Sequence, residues 1–213
     1  MIGSSKTIRR DLETIAELTP EGARVLDVGC GEGELLELLT QRRNARAHGL
    51  ELSQAGVNAS VARGLSVVQG DADRDLAFYP NDAFDLVVLS QTIQATRQPR
   101  HVLSELLRIG RRVIVSFPNF AHWRISLSLL AKGRMPRTRT LPFSWYDTPN
   151  IHQCTLTDFL EMTKELGVRV DRIVPFADGK PYPGLANAPA IANVFADEIL
   201  LLLSRADEPP ITA

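Results

Sequence analysis

Three glycines stand at alternate positions in VLDVGCGEG, residues 25–33, behind an apolar run that carries Asp27 near its end. Glycines after a strand let the backbone approach a ligand closely, and the helix that follows offers free N–H groups. Dinucleotide-binding loops use this arrangement for pyrophosphate, with the spacing GxGxxG and an acid about 20 residues later. Here Gly29, Gly31 and Gly33 make GxGxG, flanked by Asp27, Glu32 and Glu34. Carboxylates at that density repel a pyrophosphate, and the turn holds no Lys or Arg to compensate.

A ligand with a cationic end and no phosphate suits the loop better. S-adenosylmethionine (SAM) carries an ammonium and a sulfonium, and its product S-adenosylhomocysteine keeps the ammonium. Asp27 would attract that ammonium, while backbone N–H groups of the loop, Gly29, Cys30 and Gly31, bind the carboxylate. In GLELS, Glu51 with Leu52 beside it is placed to take both ribose hydroxyls. In QGDAD, Asp71 would accept from the adenine amino group, with the backbone of Ala72 completing the edge. Ser90 and Gln91, at the end of FDLVVLS, would look towards the methyl group. A single acid of this set reads equally well as a solvated strand end. Their ordered recurrence is what points to a ligand.

The elements needed to hold these residues alternate along the chain. Ile8, Leu12, Ile15 and Leu18 recur at helical spacing, predicting a helix over roughly 5–19 that Pro20 stops. Strands are expected at 24–29, 45–52, 65–71, 84–90 and 111–118. Helices are expected at 34–43, at 53–64 with Ser53 as cap and Gly64 as stop, and at 99–109. Alternation of this kind predicts a mostly parallel sheet with helices on both faces, an α/β fold in which ligands sit at the carboxyl ends of strands. A helix over 155–167, capped by Thr155 with Asp158, and strands at 168–176 and roughly 192–203 complete the pattern. We expect one domain over 1–213 with a frayed tail at 205–213.

Between strand five and the late helix the rhythm breaks, leaving an insertion at about 118–150. Phe117, Phe120, Trp123, Phe143, Trp145 and Tyr146 fall here, interleaved with Arg124, Lys132, Arg134, Arg137 and Arg139, and Asp147 is the only acid from 118 to 150. Three readings stand side by side: a cap packed on the sheet, a partner-docking surface, and an RNA groove of rings and cations. His152, in NIHQCT, is the candidate general base because histidine as a residue type is the one suited to proton transfer near neutral pH. No Asn-Pro-Pro-Tyr sequence follows strand four, which disfavours methylation of an amide or base nitrogen.

Composition narrows the partners. The 213 residues are 44% hydrophobic and 23% charged with a formal net charge of -1, so nothing global draws the chain to nucleic acid or anionic lipid. Cys30 and Cys154 lie far apart without metal-ligand spacing, which predicts a reducing compartment, no disulfide framework and no metal site. No stretch reads as a signal peptide, and ILLLL at 199–203 is far too short to span a bilayer. The expectation is a cytoplasmic protein.

VLDVGCGEG, GLELS, QGDAD and FDLVVLS together resemble the class I SAM-dependent methyltransferases over residues 23–117. That resemblance implies a Rossmann-like, seven-stranded sheet of order 3-2-1-4-5-7-6 with the seventh strand antiparallel. SFPNFAHWR and GRMPRTRTLPFSWYDTPNIHQCTLTDF resemble, more specifically, the MetW family of methionine-biosynthesis proteins, over about residues 9–203. The family resemblance implies a place beside homoserine O-acyltransferase, as a SAM-binding accessory or regulatory partner. The alternative is a methyltransferase acting on a small metabolite or a protein side chain.

Overall fold

The computed structural model describes residues 10–209. Its sheet begins with β1 (Arg24–Val28), β2 (Arg46–Glu51), β3 (Ser66–Gln69), β4 (Phe84–Ser90) and β5 (Gly110–Pro118). These five pair in parallel, β3 with β2, β2 with β1, β1 with β4 and β4 with β5. Parallel neighbours require crossovers, supplied by α2 (Glu34–Arg43), α3 (Gln54–Ala62) and α4 (Pro99–Ile109). β6 (Val168–Ala177) and β8 (Glu198–Arg205) continue the sheet, β8 antiparallel to both β5 and β6. The full order is β3-β2-β1-β4-β5-β8-β6-β7. This is the expected doubly wound α/β arrangement, with one strand more than the seven expected. The addition is β7 (Lys180–Pro181), which folds back antiparallel on the end of β6.

Each face of the sheet has its own core. On one, α1 (Arg10–Leu18) lays Leu12, Ile15 and Ala16 against Leu35 and Leu39 of α2 and against Val25, Val88 and Ile114. On the other, Val102, Leu103 and Leu106 of α4 meet Leu26, Val87 and Val113, and Phe117 stacks on Phe159 of α6 (Leu156–Glu165) at 4.8 Å. β4 and β8 are apolar almost throughout because both their faces are covered. Chain order reverses between β1 and β4, opening a crevice at their carboxyl ends.

Residues 5–9 of the first predicted helix lie outside the described residues. One expected strand boundary is overturned. The strand expected from roughly 192 begins at Glu198, because Pro189–Phe195 forms α7, started by Pro189 and turned inward on Ala192. Within 118–150 the sequence showed no strand pattern, and the structure forms α5 (Trp123–Lys132) there. At the other end, Arg205 pairs with Asp82 at 2.8 Å and with Glu208 at 3.3 Å, and residues 210–213 lie outside the described residues. Among the described residues, no helix is long and apolar enough to cross a membrane.

Asn119 ties the inserted segment to the body. It is fully buried, donates from Nδ2 to the carbonyls of Asn193 (2.7 Å) and Ala196 (2.8 Å), and accepts from the N–H groups of Ala121 and Leu156. Replacement by alanine strands buried carbonyls and amides, each costing about 1–3 kcal/mol. We expect Asn119→Ala to lower the melting temperature by several degrees in calorimetry, and an unchanged midpoint would refute this role.

Candidate functional site

The glycine loop is held open by its neighbours. Gly29, Gly31 and Gly33 all have positive φ, at 76°, 55° and 80°. Gly29 is tightly confined, because a Cβ there would lie 2.6 Å from Thr92 Oγ1. Its N–H donates to the Leu50 carbonyl at 2.7 Å, tying the loop to the end of β2. Glu51, the last residue of β2, accepts the Gly31 N–H on Oε2 and the Ser53 N–H on Oε1, both at 2.8 Å. Ser60 of α3 donates to the Gly31 carbonyl at 3.2 Å. Gly56 lets α3 come this close, since a Cβ there would meet the Gly31 oxygen at 2.9 Å and Glu51 Cγ at 3.0 Å. The Glu51 carboxylate is therefore fixed in place, and each of its oxygens keeps a second lone-pair direction for a hydroxyl donor.

Two clefts flank the loop and share Gly29. The first, about 420 Å³, is lined by Glu51, Leu52, Asp71, Ala72, Thr92 and Ile151 among others. The second, about 450 Å³, is lined by Asp27, Cys30, Gly31, Glu34 and Ser90, with Leu12 of α1 as one wall. Asp27 is 3% exposed, midway between Gly49 and Val88 in the sheet register. Helix α2 starts at Glu34 without a side-chain cap, so its first amides face the loop uncovered by a cap. Asp71 works partly on its own turn, accepting the Asp73 N–H at 2.9 Å. Asp73 in turn accepts from the backbone of Arg97 and Gln98, which fixes the far wall.

Nine of the ten expected binding residues therefore line the paired clefts, and Gln91 stands apart. Its φ is +54°, an uncommon value for a residue with a side chain. Its Nε2 donates to Glu198 Oε1 at 2.5 Å, and it lines a third cleft of about 390 Å³ with Gln94, Glu198, Arg139 and Phe143. The neighbouring Ser90 keeps its Oγ 3.2 Å from Ser116 Oγ. His152 is exposed and lines none of the three clefts; its backbone N–H donates to Gln94 O at 3.0 Å. Sequence reasoning missed Thr92, Gly56 and Ile151. The tight approaches at Gly29 and Gly56 exist only once β4 and α3 are docked, and Ile151 reaches the cleft through its N–H bond to Gln94 O at 2.9 Å. Also missed was His122, buried at the start of α5, whose pKa burial pushes down despite the opposing pull of Asp197. Among the described residues no group of His, Cys, Asp and Glu is arranged to hold a metal ion.

Cys30 is buried beside Asp27 and Glu51, and burial chiefly, then those charges, push its thiol up to about 12. Burial also raises Cys154 to about 12. Thiols held that far above their ordinary range carry little thiolate at pH 8, which slows their reaction. We expect neither to react with an aromatic disulfide reagent at pH 8 until denaturant is added, and rapid labelling of one thiol in the native protein would contradict this.

The chain resembles known proteins along most of its length. A family model described as "Methionine biosynthesis protein MetW" matches residues 9–203. A curated relative named "Bifunctional methionine biosynthesis protein MetXA/MetW", from Rhodopirellula baltica, is 35% identical over 182 residues, 81% of this chain and 29% of that protein. The chain thus spans less than a third of the relative it matches. A SAM-dependent methyltransferase from Archaeoglobus fulgidus superposes with a TM-score of 0.70 at 16% identity, covering 95% of each chain. The [4+2]-cyclase SpnF superposes with a TM-score of 0.66 at 19% identity, covering 96% of this chain and 81% of that one. The class I SAM-dependent methyltransferase fold is shared by proteins of different chemistry, so the reaction must be argued from the site.

Proposed function

Since this chain belongs to the MetW family of methionine biosynthesis proteins, we propose that it is a SAM-binding accessory or regulatory partner of homoserine O-acyltransferase. The observation that carries the reading is the pair of clefts meeting at Gly29, with Asp27 and Ser90 on one side and Glu51 and Asp71 on the other. The donor set fits SAM or S-adenosylhomocysteine and does not fit a pyrophosphate. Asp27, almost wholly buried, holds the ammonium, and the first amides of α2 bind the carboxylate, since the N–H groups of Gly29 and Cys30 are directed at the Leu50 carbonyl and that of Gly31 at Glu51. Glu51 takes the ribose hydroxyls with the lone pairs its backbone bonds leave free. Asp71 and the Ala72 backbone read the adenine edge, and Leu52 and Ile151 cover its faces.

A relative whose name couples MetXA with MetW supports a partner working beside this fold. SAM is the end product built from methionine, so a protein that binds it and touches an early enzyme reports product level to the pathway. Reciprocity follows: whatever factor SAM applies to acyltransferase affinity, the acyltransferase applies to SAM affinity. The test is to measure association of the purified acyltransferase by light scattering at micromolar concentration, with and without SAM, and its activity on addition of this protein. Association and altered activity are expected; neither appearing in either condition refutes the regulatory reading.

A second reading, methyl transfer to a small metabolite or a protein side chain, draws on the third cleft next to Ser90 and Gln91. Its test is release of S-adenosylhomocysteine on addition of candidate acceptors, with Gln91→Ala as the diagnostic variant. No release with any acceptor, or release unaffected by that variant, speaks against it.

A further inference from the structure

We propose that α5 and the segment 133–151 form a docking face for a protein partner whose complementary surface is acidic and carries an apolar groove; this deepens the reading of an acyltransferase partner and rests on it. Trp123, Leu127 and Leu130 recur at i, i+4 and i+7, which aligns them on one side of α5. That side faces solvent. Ile125, on the opposite side, is the only buried residue of the helix, while Leu130 is 86% exposed. Further along, Trp145 and Tyr146 pack edge to face on each other at 5.6 Å, with Trp145 73% exposed. An apolar stripe turned outward at helical spacing costs a lone protein solubility and fits a groove on a partner. Trp and Tyr are the side chains that anchor such contacts.

Charge defines what the partner presents. Arg124 and Lys132 lie on α5 and Arg134 and Arg137 just after it, and Asp147 is the only acid from 118 to 150. Among the described residues Arg124 reaches Asp178 at 3.7 Å, whereas Lys132, Arg134 and Arg137 make no ion pair. A chain of net charge -1 thus carries a concentrated basic face, complementary to an acidic one. A second copy of this chain is disfavoured, because an isologous contact sets the same cations against each other. A protein is favoured over RNA because Leu127 and Leu130, 54% and 86% exposed, add apolar surface that bases do not use.

This face also meets the ligand clefts. Ile151 closes its end, lines the first cleft, and is held by its N–H to the Gln94 carbonyl at 2.9 Å. A nucleoside in that cleft and a protein on this face therefore press on the same segment.

The experiment measures affinity for purified homoserine O-acyltransferase by interferometry, using Leu130→Asp and the triple variant Lys132→Glu, Arg134→Glu, Arg137→Glu. All four sites are exposed, so folding is preserved, and calorimetric SAM affinity of each variant equal to wild type verifies it. We expect each variant to lose at least about tenfold in affinity for the acyltransferase. Wild-type affinity in both variants would overturn the face while leaving the partnership standing. No association of the wild type would overturn both. A dimer in solution that Leu130→Asp converts to monomer would assign the face to self-association and overturn the proposal. So would tight binding of a single-stranded RNA oligonucleotide that the triple variant abolishes.

Discussion

Glu51→Ala is expected to reduce SAM affinity by roughly a hundredfold or more in titration calorimetry while the protein stays folded. Two effects combine. The ribose hydroxyls lose a charged acceptor, and hydrogen bonds to charged groups contribute about 1.5–3 kcal/mol each, which at about 1.4 kcal/mol per factor of ten gives that magnitude. The loop also loses its fixing point, since Glu51 accepts the N–H of Gly31 and of Ser53, both at 2.8 Å. Glu51→Gln separates the two: its amide keeps one acceptor for the backbone and loses the charge, so an intermediate affinity is expected. Asp27→Asn probes the other cleft, keeping the shape beside Gly29 while removing the charge proposed to face the ammonium, and a loss of roughly tenfold or more is expected there. Unchanged affinity in Glu51→Ala and Asp27→Asn together would remove the basis for the site. NAD offered in place of SAM should show no heat in the wild type, because its phosphates meet Asp27, Glu32 and Glu34.

Gly29→Ala is expected to disable the same site from the backbone. A left-handed conformation costs a residue with a Cβ roughly 1–2 kcal/mol, and Gly29 sits at φ 76°. The added methyl would also lie 2.6 Å from Thr92 Oγ1 and 2.9 Å from its Cγ2, so Thr92 or the loop must move, at a further cost of about 1–3 kcal/mol. SAM binding should become undetectable and the melting temperature should fall. A double-mutant cycle isolates the steric part: Thr92→Ala in the Gly29→Ala background should restore some stability while the φ penalty persists. Independent, additive losses in that cycle would show that Thr92 does not confine the loop.

The two predictions address different links. Glu51 concerns the chemistry that meets the ligand, and Gly29 the fold that makes room for it. In the proposed partnership neither residue touches the partner, and the segment shared by the first cleft and the docking face is Ile151 with His152, whose N–H groups both reach the Gln94 carbonyl.

How much could be read before folding depends on the range of the forces involved. Strand β4 ends where its apolar run ends, and the capping of α3 by Ser53 and of α6 by Thr155 is seen at the residues where side chain and amide are three apart. These are local effects, written in neighbouring residues. Glu51 was legible for the same reason, as the last residue of β2, whereas Asp27 lies one residue inside β1 and Asp71, expected to end its strand, lies two residues beyond β3. What the order of residues left open was decided by contacts between segments distant in the chain. Gln91 was expected beside the methyl group, but Glu198, 107 residues later, draws its side chain into another cleft. The segment near 192 was expected as strand, but Pro189 starts a helix there and Asn119 binds the carbonyls at its end. The aromatics of the insertion divided as no periodicity could foretell, Phe117 into the core and Trp145 out to solvent. Burial is a property of the assembled surface, so the sequence alone determined which residues would reach the sheet edge, and only the tertiary structure decided which would face each other there.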